Sequence, residues 1–225
     1  MKLSIVIPAL NEEQAIGETI GSVPGEALEA LGYEVEFVVV DGGSTDRTRE
    51  IAESMGTKVI VEPRKGYGRA YRTGFEQCHG DIIATGDADG TYPFEKLPDM
   101  LQTLERENLD FITTDRFASM DEGAMSRTHA LGNLVLSSIL RLLYGVNIRD
   151  SQSGMWIFRR ELLKDLDLQA DGMELSEEIK IEAFKKARAR EIPIHYAKRI
   201  GEKKIRSFRD GFRNLWYLFE KKLSE

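Results

Sequence analysis

Asp87 and Asp89 stand one residue apart in Gly86-Asp87-Ala88-Asp89-Gly90, directly after the apolar run Ile82-Ile83-Ala84-Thr85. Two carboxylates leaving a buried strand at that spacing can reach one hard divalent cation and the phosphate oxygens it binds. Asp-Gly is also a common turn signal, so the pair alone has an ordinary reading as turn residues. Two further strand ends carry polar groups. Leu3 to Ile7 runs into Pro8, Leu10, Asn11 and Glu12, and Val35 to Val40 runs into Asp41-Gly42-Gly43-Ser44-Thr45-Asp46. Asp41 could accept hydrogen bonds from a base or a ribose. Helix capping accounts for Ser44, Thr45 and Asp46 but leaves Asp41 unexplained.

Cations gather later in the chain. Arg116 and Arg127 flank a polar loop containing Gly123, and Arg199-Ile200-Gly201-Glu202-Lys203-Lys204-Ile205-Arg206 forms a second basic loop. In an acidic protein such clusters point to an anionic substrate group, against the alternative of ordinary surface charge. Arg64-Lys65-Gly66-Tyr67-Gly68-Arg69 could hold phosphate or be a solvated basic loop; it lacks the Gly-Lys-Ser/Thr end of a Walker loop. His79, His129 and His195 have no metal-ligand spacing. Trp156 and Phe158 read as core, although a ring beside Ser151-Gln152-Ser153-Gly154 could wall a sugar site.

The elements that must position these groups alternate. Strands are expected at Leu3 to Ile7, Val35 to Val40, Lys58 to Glu62 and Asp81 to Thr85. Helices are expected from Asn11, from Ser44 or Thr45 to Met55, and over Gly68 to Cys78. That alternation predicts an α/β fold with an open, mostly parallel sheet and helices on both faces. In such sheets ligands bind beyond the carboxyl ends of the strands, so Pro8 to Glu12, Asp41 to Asp46 and Asp87 to Gly90 should converge on one crevice.

Beyond Thr114 the pattern changes. Helices are expected at Ala130 to Tyr144, Arg159 to Leu166 and Glu177 to Arg190, with strands at Ser153 to Phe158 and Ile192 to Ala197. A basic, aromatic-rich helix, Arg206 to Leu223, should follow. It could lie at a membrane interface or pack on the core. The chain reads as a single domain, 1–225, divided near 114 into two halves, with a terminal segment from 206 to 225.

Composition bounds the rest. The 225 residues are 41% hydrophobic and 31% charged, as in a globular protein with a sizeable core. A formal net charge of -7 argues against general nucleic-acid binding. The lone Cys78 excludes an internal disulfide and suggests a reducing compartment. Neither a leader peptide nor a membrane span is expected, since no run approaches roughly 18 apolar residues.

Five ordered segments resemble glycosyltransferase family 2, in its polyprenyl-phosphate (dolichyl-phosphate) mannose or glucose synthase branch. They are Ile7 to Glu12, Val40 to Asp46, Asp87 to Pro93, Asp150 to Met155 and Arg199 to Lys204. The resemblance implies the nucleotide-diphospho-sugar transferase (GT-A type) fold. Residues 1–114 would be the nucleotide-sugar half and 115–205 the acceptor half. Pro8, Leu10, Glu12, Asp41, Asp87, Ala88 and Asp89 would bind a GDP- or UDP-linked hexose. Asp87, Asp89 and Thr91 would hold Mg²⁺ or Mn²⁺, with Thr91 standing where mannose synthases often carry Gln. Arg116, Arg127, Arg199 and Lys204 would bind the acceptor phosphate, and Asp89 and the three arginines would be catalytic.

The implied reaction is inverting, metal-dependent hexosyl transfer to polyprenyl or dolichyl phosphate, for protein glycosylation or cell-surface glycan assembly. It would take place at the cytoplasmic face of a membrane, reached through the terminal helix or a small membrane partner. Two alternatives stand beside it. In one, the acceptor is a sugar hydroxyl, with Glu174, Glu177 or Glu178 as base or merely as an acidic first helical turn. In the other, the chain is a nucleotide-sugar-binding subunit without turnover.

Overall fold

A computed structural model describes residues 1–201 and 207–224, the side chains of 207–210 excepted. The strands are β1 (Lys2–Ala9), β2 (Glu34–Asp41), β3 (Lys58–Val61), β4 (Ile82–Thr85), β5 (Phe111–Met120), β6 (Trp156–Arg159) and β7 (Ala189–Tyr196). The helices are α1 (Ile16–Gly21), α2 (Gly25–Ala30), α3 (Thr48–Ser54), α4 (Tyr67–Gln77), α5 (Leu97–Arg106), α6 (Arg127–Tyr144), α7 (Leu175–Lys186) and α8 (Ser207–Ser224). The sheet order is β3-β2-β1-β4-β6-β5-β7.

The expected α/β architecture is present. β3, β2, β1 and β4 run parallel, as do β5 and β7, while β6 is antiparallel to both of its neighbours. Strands β1, β2 and β4 are β-branched and buried on both faces, as a sheet covered by helices requires. One apolar cluster joins Leu3, Ile5 and Ile7 to Phe94, Leu101 and Ile157. The opposite face joins Val6, Val38 and Val40 to Tyr71, Phe75, Trp156 and Ile179. Each fully buried large apolar side chain contributes about 1.5–3 kcal/mol.

The chain order reverses beside β1, whose neighbours β2 and β4 extend the sheet in opposite directions. That switch point opens a crevice at the carboxyl ends of these strands. The antiparallel β6 matters equally. Ala84 is paired with Ile157, so the residues preceding β6 emerge where β4 ends. Thr85 Oγ1 donates to the Gly154 carbonyl at 2.8 Å and accepts from the Trp156 amide at 2.9 Å. The loop 150–154 is thereby carried to the end of β4.

Several local expectations differ from the fold. The helix expected from Asn11 begins at Ile16, and α3 begins at Thr48, not at a Ser44 or Thr45 cap. The polar residues between are used to stitch two loops together. Asn11 N donates to Ser44 Oγ (2.8 Å), Glu12 N to Thr48 Oγ1 (2.7 Å) and Thr45 N to Asn11 Oδ1 (2.7 Å). Residues 160–164 form a short 3-10 turn in place of a longer helix. α7 ends at Lys186, and β7 starts at Ala189, inside the span read as helix. α2, α5 and β5 carry no expectation from the sequence.

Candidate functional site

A cavity of about 700 Å³ lies at the crevice. Asp87, Asp89, Tyr67, Arg116, Gln152, Tyr196 and Arg199 line its polar part. A smaller cavity of about 360 Å³ is lined by Leu10, Asn11, Glu12, Glu13, Gln14 and Asp46, and Gly201 borders both. The ends of β1 and β4 therefore meet as expected, joined by the far loop that follows β7.

Asp87 Oδ1 accepts a hydrogen bond from Tyr67 Oη at 3.0 Å. Burial, reinforced by the neighbouring Asp89 charge, pushes the Asp87 carboxyl up to about 7. Asp89 is buried and accepts from the Thr91 hydroxyl at 2.6 Å and from Arg199 Nη1 at 2.8 Å. The same guanidinium donates through Nη2 to Glu12. Arg199 thus bridges the acids that follow β1 and β4. Its loop is fixed by Ile200 N on the Asp89 carbonyl and Ala197 N on the Thr91 carbonyl, both 3.0 Å.

Gly154 is a structural requirement of this site. Its amide donates to Tyr92 Oη at 2.6 Å, and its carbonyl accepts from Tyr71 Oη at 3.3 Å. A Cβ at this position would stand 2.2 Å from Tyr67 Oη and 3.4 Å from Asp87 Oδ1. Only glycine lets the loop approach the Tyr67–Asp87 pair.

Arg116 lines the cavity, yet its Nε and Nη2 lie on Asp150 at 2.6 and 2.8 Å in a buried bidentate pair. Its guanidinium also stacks over Tyr196, 5.2 Å from the ring centre. Asp150 belongs to the loop 150–154 and is held below the usual carboxylate range against its burial, chiefly by the Arg116 charge.

Not every residue singled out from sequence reaches a cavity wall. Arg127 is exposed at the first turn of α6 and lines neither cavity. Asp41 is fully buried and accepts from its own turn, Gly43 N at 3.0 Å and Ser44 N at 3.0 Å. It shapes the loop that follows β2, so turn capping does account for it. Pro8 and Ala88 also lie outside both linings, and the Ala88 carbonyl accepts from Thr19 Oγ1 at 3.1 Å. Thr91 is 1% exposed and orients Asp89 from behind. Lys204 lies outside the described residues. In the Arg64 to Arg69 loop, Arg64 pairs with Glu62 and Arg69 with Asp171, while Gly66 and Gly68 pack against the backbone of 170–172. The loop is a packing surface that delivers Tyr67.

The three glutamates of the alternative mechanism are buried and do not line the cavity. Glu174 pairs with Arg213 at 2.6 Å, and Glu177 accepts from Gln152 Nε2 at 2.7 Å. Glu178 accepts from the Gln169 and Ala170 amides and from Tyr217 Oη. Sequence reasoning missed Lys180 and gave Tyr67 and Gln152 no chemical role. Nothing in local spacing marks them, because each acts across long sequence separations.

One part of the cavity lining is apolar. Leu131, Val135 and Leu136 of α6 line it with Phe212 and Leu215 of α8. α8 is also anchored inward: Asn214 Nδ2 donates to Gln152 Oε1 at 2.7 Å, Lys221 pairs with Glu182 at 2.9 Å, and Leu218 is fully buried. Phe212, Trp216, Phe219 and Leu223 remain exposed on its outer face. The reading of this helix as packed on the core is met on one face, and its other face is an exposed apolar surface. No helix among the described residues is long and apolar enough to cross a membrane.

Among the described residues, no group of three or more His, Cys, Asp and Glu side chains forms a ready-made metal cage. Asp87 and Asp89 fit a hard divalent ion in another way. They place two carboxylates in one cavity, where a ligand's phosphate oxygens and water would complete the coordination.

The family model described as Glycosyl transferase family 2 matches residues 4–167. The chain is 41% identical over 219 residues to the low-salt glycan biosynthesis hexosyltransferase Agl6 of Haloferax volcanii. That alignment covers 96% of this chain but 52% of the relative, so the chain spans about half of that protein. It is 35% identical over 210 residues to a dolichyl-phosphate hexose transferase of the same organism, covering 93% of this chain and 89% of the relative. Among solved structures, it resembles glucosyl-3-phosphoglycerate synthase from Mycobacterium tuberculosis in complex with Mn²⁺, UDP-glucose and phosphoglyceric acid. The TM-score is 0.78 at 22% identity, covering 99% of this chain and 80% of that one, a likeness of fold.

Proposed function

The chain belongs to glycosyl transferase family 2, and from that premise we propose that it transfers a hexose from a nucleotide sugar to a polyprenyl or dolichyl phosphate with inversion. One observation carries this reading. A single cavity carries the Asp87–Asp89 pair and two arginines, with Asp89 and Arg116 buried, beside apolar faces of α6 and α8 whose Leu131, Val135 and Phe212 are exposed. That combination matches an acceptor with an anionic head and a hydrocarbon tail. The likeness to a dolichyl-phosphate hexose transferase points the same way.

Asp87 and Asp89 would hold Mg²⁺ or Mn²⁺, which when bound supplies Lewis-acid neutralisation of the donor diphosphate. Thr91 and Tyr67 orient the two carboxylates through their hydroxyls. The cavity lined by Leu10, Asn11 and Glu12 receives the nucleoside, with Asp41 holding the adjoining turn. Arg199 and Arg116 draw the acceptor phosphate toward the anionic donor and offset the repulsion between them.

An acceptor oxygen bonds to the anomeric carbon as the bond from that carbon to the leaving diphosphate oxygen breaks. A phosphate monoester has a second pKa near 6, so it attacks already ionised at neutral pH and needs no protein base. Glu174, Glu177 and Glu178 all lie outside the cavity lining, which disfavours a hydroxyl acceptor requiring one of them as base.

The exposed aromatic face of α8, continued by Leu131, Leu134 and Val135 of α6, would bring the cavity to a lipid surface. The test is a panel of GDP- and UDP-hexoses offered with polyprenyl phosphate and Mg²⁺ or Mn²⁺, with products read by mass. A hexosyl phosphate lipid is expected, and Asp89→Ala should abolish it without altering the circular dichroism spectrum. Transfer to sugar hydroxyls alone, or full activity of Asp89→Ala, would overturn the reading.

A further inference from the structure

Lys180 lies on α7 with no exposed surface. Its ammonium donates to three main-chain carbonyls of one loop: Asp150 at 3.1 Å, Ser151 at 2.8 Å and Ser153 at 2.7 Å. Three donors meet three acceptors, which is how a buried ammonium keeps its proton. Burial pulls this group down to about 7, and the Asp150 charge opposes that pull.

The loop so held is the one that approaches the site. Its Asp150 carboxylate forms the bidentate pair with Arg116, and its Gly154 abuts Tyr67 and Asp87. Paired with Asp150 alone, Arg116 would offer an anion in the cavity almost no net charge. Asp87 faces Arg116 across the cavity, and two other acids act on Lys180. Burial holds the Glu177 carboxyl well above its usual range, so it contributes little negative charge. Glu191 receives the Arg149 and Asp150 amides at 2.8 and 2.9 Å. Lys180 is therefore the second cation against Asp150.

We propose that Lys180 is a positioning residue of the anion site: it clamps the loop 150–154 through its carbonyls and offsets the Asp150 charge, so that Arg116 faces the cavity as a net cation for phosphate. The inference rests on the phosphate-acceptor reading above. Lys180 acts through Arg116 and Asp150 and touches no reacting atom.

Binding of inorganic phosphate to the full chain at pH 6, followed by ³¹P line broadening, tests it in a cycle of wild type, Lys180→Met, Asp150→Asn and the double variant. Lys180→Met should weaken binding roughly tenfold, the scale of one unit charge acting through a partly buried path. Adding Asp150→Asn should restore most of that loss, because both opposing charges are then gone. A residue that only supports the backbone predicts further weakening in the double variant, and that result would overturn the proposal. Lys180→Gln keeps amide donors without the charge and covers the case in which the methionine variant does not fold. It too should bind weakly, and wild-type binding by it would refute the role assigned to the charge. The expected binding pattern without transfer to polyprenyl phosphate would sink the acceptor reading alone. Transfer with phosphate binding unchanged across the variants would sink the Lys180 proposal alone.

Discussion

Gly154→Ala is the sharpest test of how the site is assembled. The added methyl would lie 2.2 Å from Tyr67 Oη. Ordinary contact begins well beyond that distance, so the ring tip must retreat by roughly 1 Å, an overpacking that costs about 1–3 kcal/mol. The retreat breaks the 3.0 Å hydrogen bond from Tyr67 to Asp87. Urea unfolding followed by tryptophan fluorescence should show a lower midpoint with unchanged slope, and transfer should fall by at least about tenfold. Tyr67→Phe removes the clashing atom. In that background the same glycine substitution should cost under about 1 kcal/mol, a positive coupling between residues in contact. An equal cost in both backgrounds would refute the packing argument, since the clash would then not involve Tyr67.

Two other outcomes follow from the geometry. The Glu62 carboxyl is held down to about 2, first by the Arg64 guanidinium and then by Thr73, despite the opposing effect of desolvation. A carboxyl depressed in the folded state stabilises above its unfolded value and loses that contribution on acidification. The stability advantage of wild type over Glu62→Gln should therefore be full at pH 6 and shrink from about pH 4.5 towards 2, as measured by urea midpoints; an advantage independent of pH would contradict the pairing. Phe212→Glu with Trp216→Glu should abolish sedimentation with anionic lipid vesicles and change the unfolding free energy from urea titration by less than about 0.5 kcal/mol, because both side chains are exposed; undiminished vesicle binding would exclude this face as the lipid contact.

Residue order alone was enough for the parallel strands at the start of the chain. β1, β2 and β4 are mostly apolar, β-branched-rich runs bounded by Pro, Asp or Gly, and a sheet covered on both faces needs such runs. It also placed Glu12 and Asp89 on the same crevice, because parallel strands deliver their carboxyl ends to one edge. β5 was not legible. Its run Thr113-Thr114-Asp115-Arg116 is polar yet buried, and partners distant in the chain make that burial tolerable, Ser153 for Thr114, Arg149 for Asp115 and Asp150 for Arg116. The start of β7 was hidden for a related reason, since helical spacing continues past Lys186 although the backbone turns extended at Ala187.

The chemistry of individual side chains was decided by the tertiary fold. Asp41, Thr91 and Arg127 have residue types suited to a ligand, and the structure turns them to a loop, to Asp89 and to solvent. Lys180 looks like any helical lysine, and its role exists only because α7 passes beneath the loop 150–154. Sequence by itself determined the parallel strands of the first half and which edge carries acids, since periodicity and chain breaks are local. Which acid faces the cavity, which arginine is neutralised and which buried cation compensates it depend on contacts between residues distant in the chain. Those contacts arise only when the antiparallel β6 brings the second half of the chain against β4.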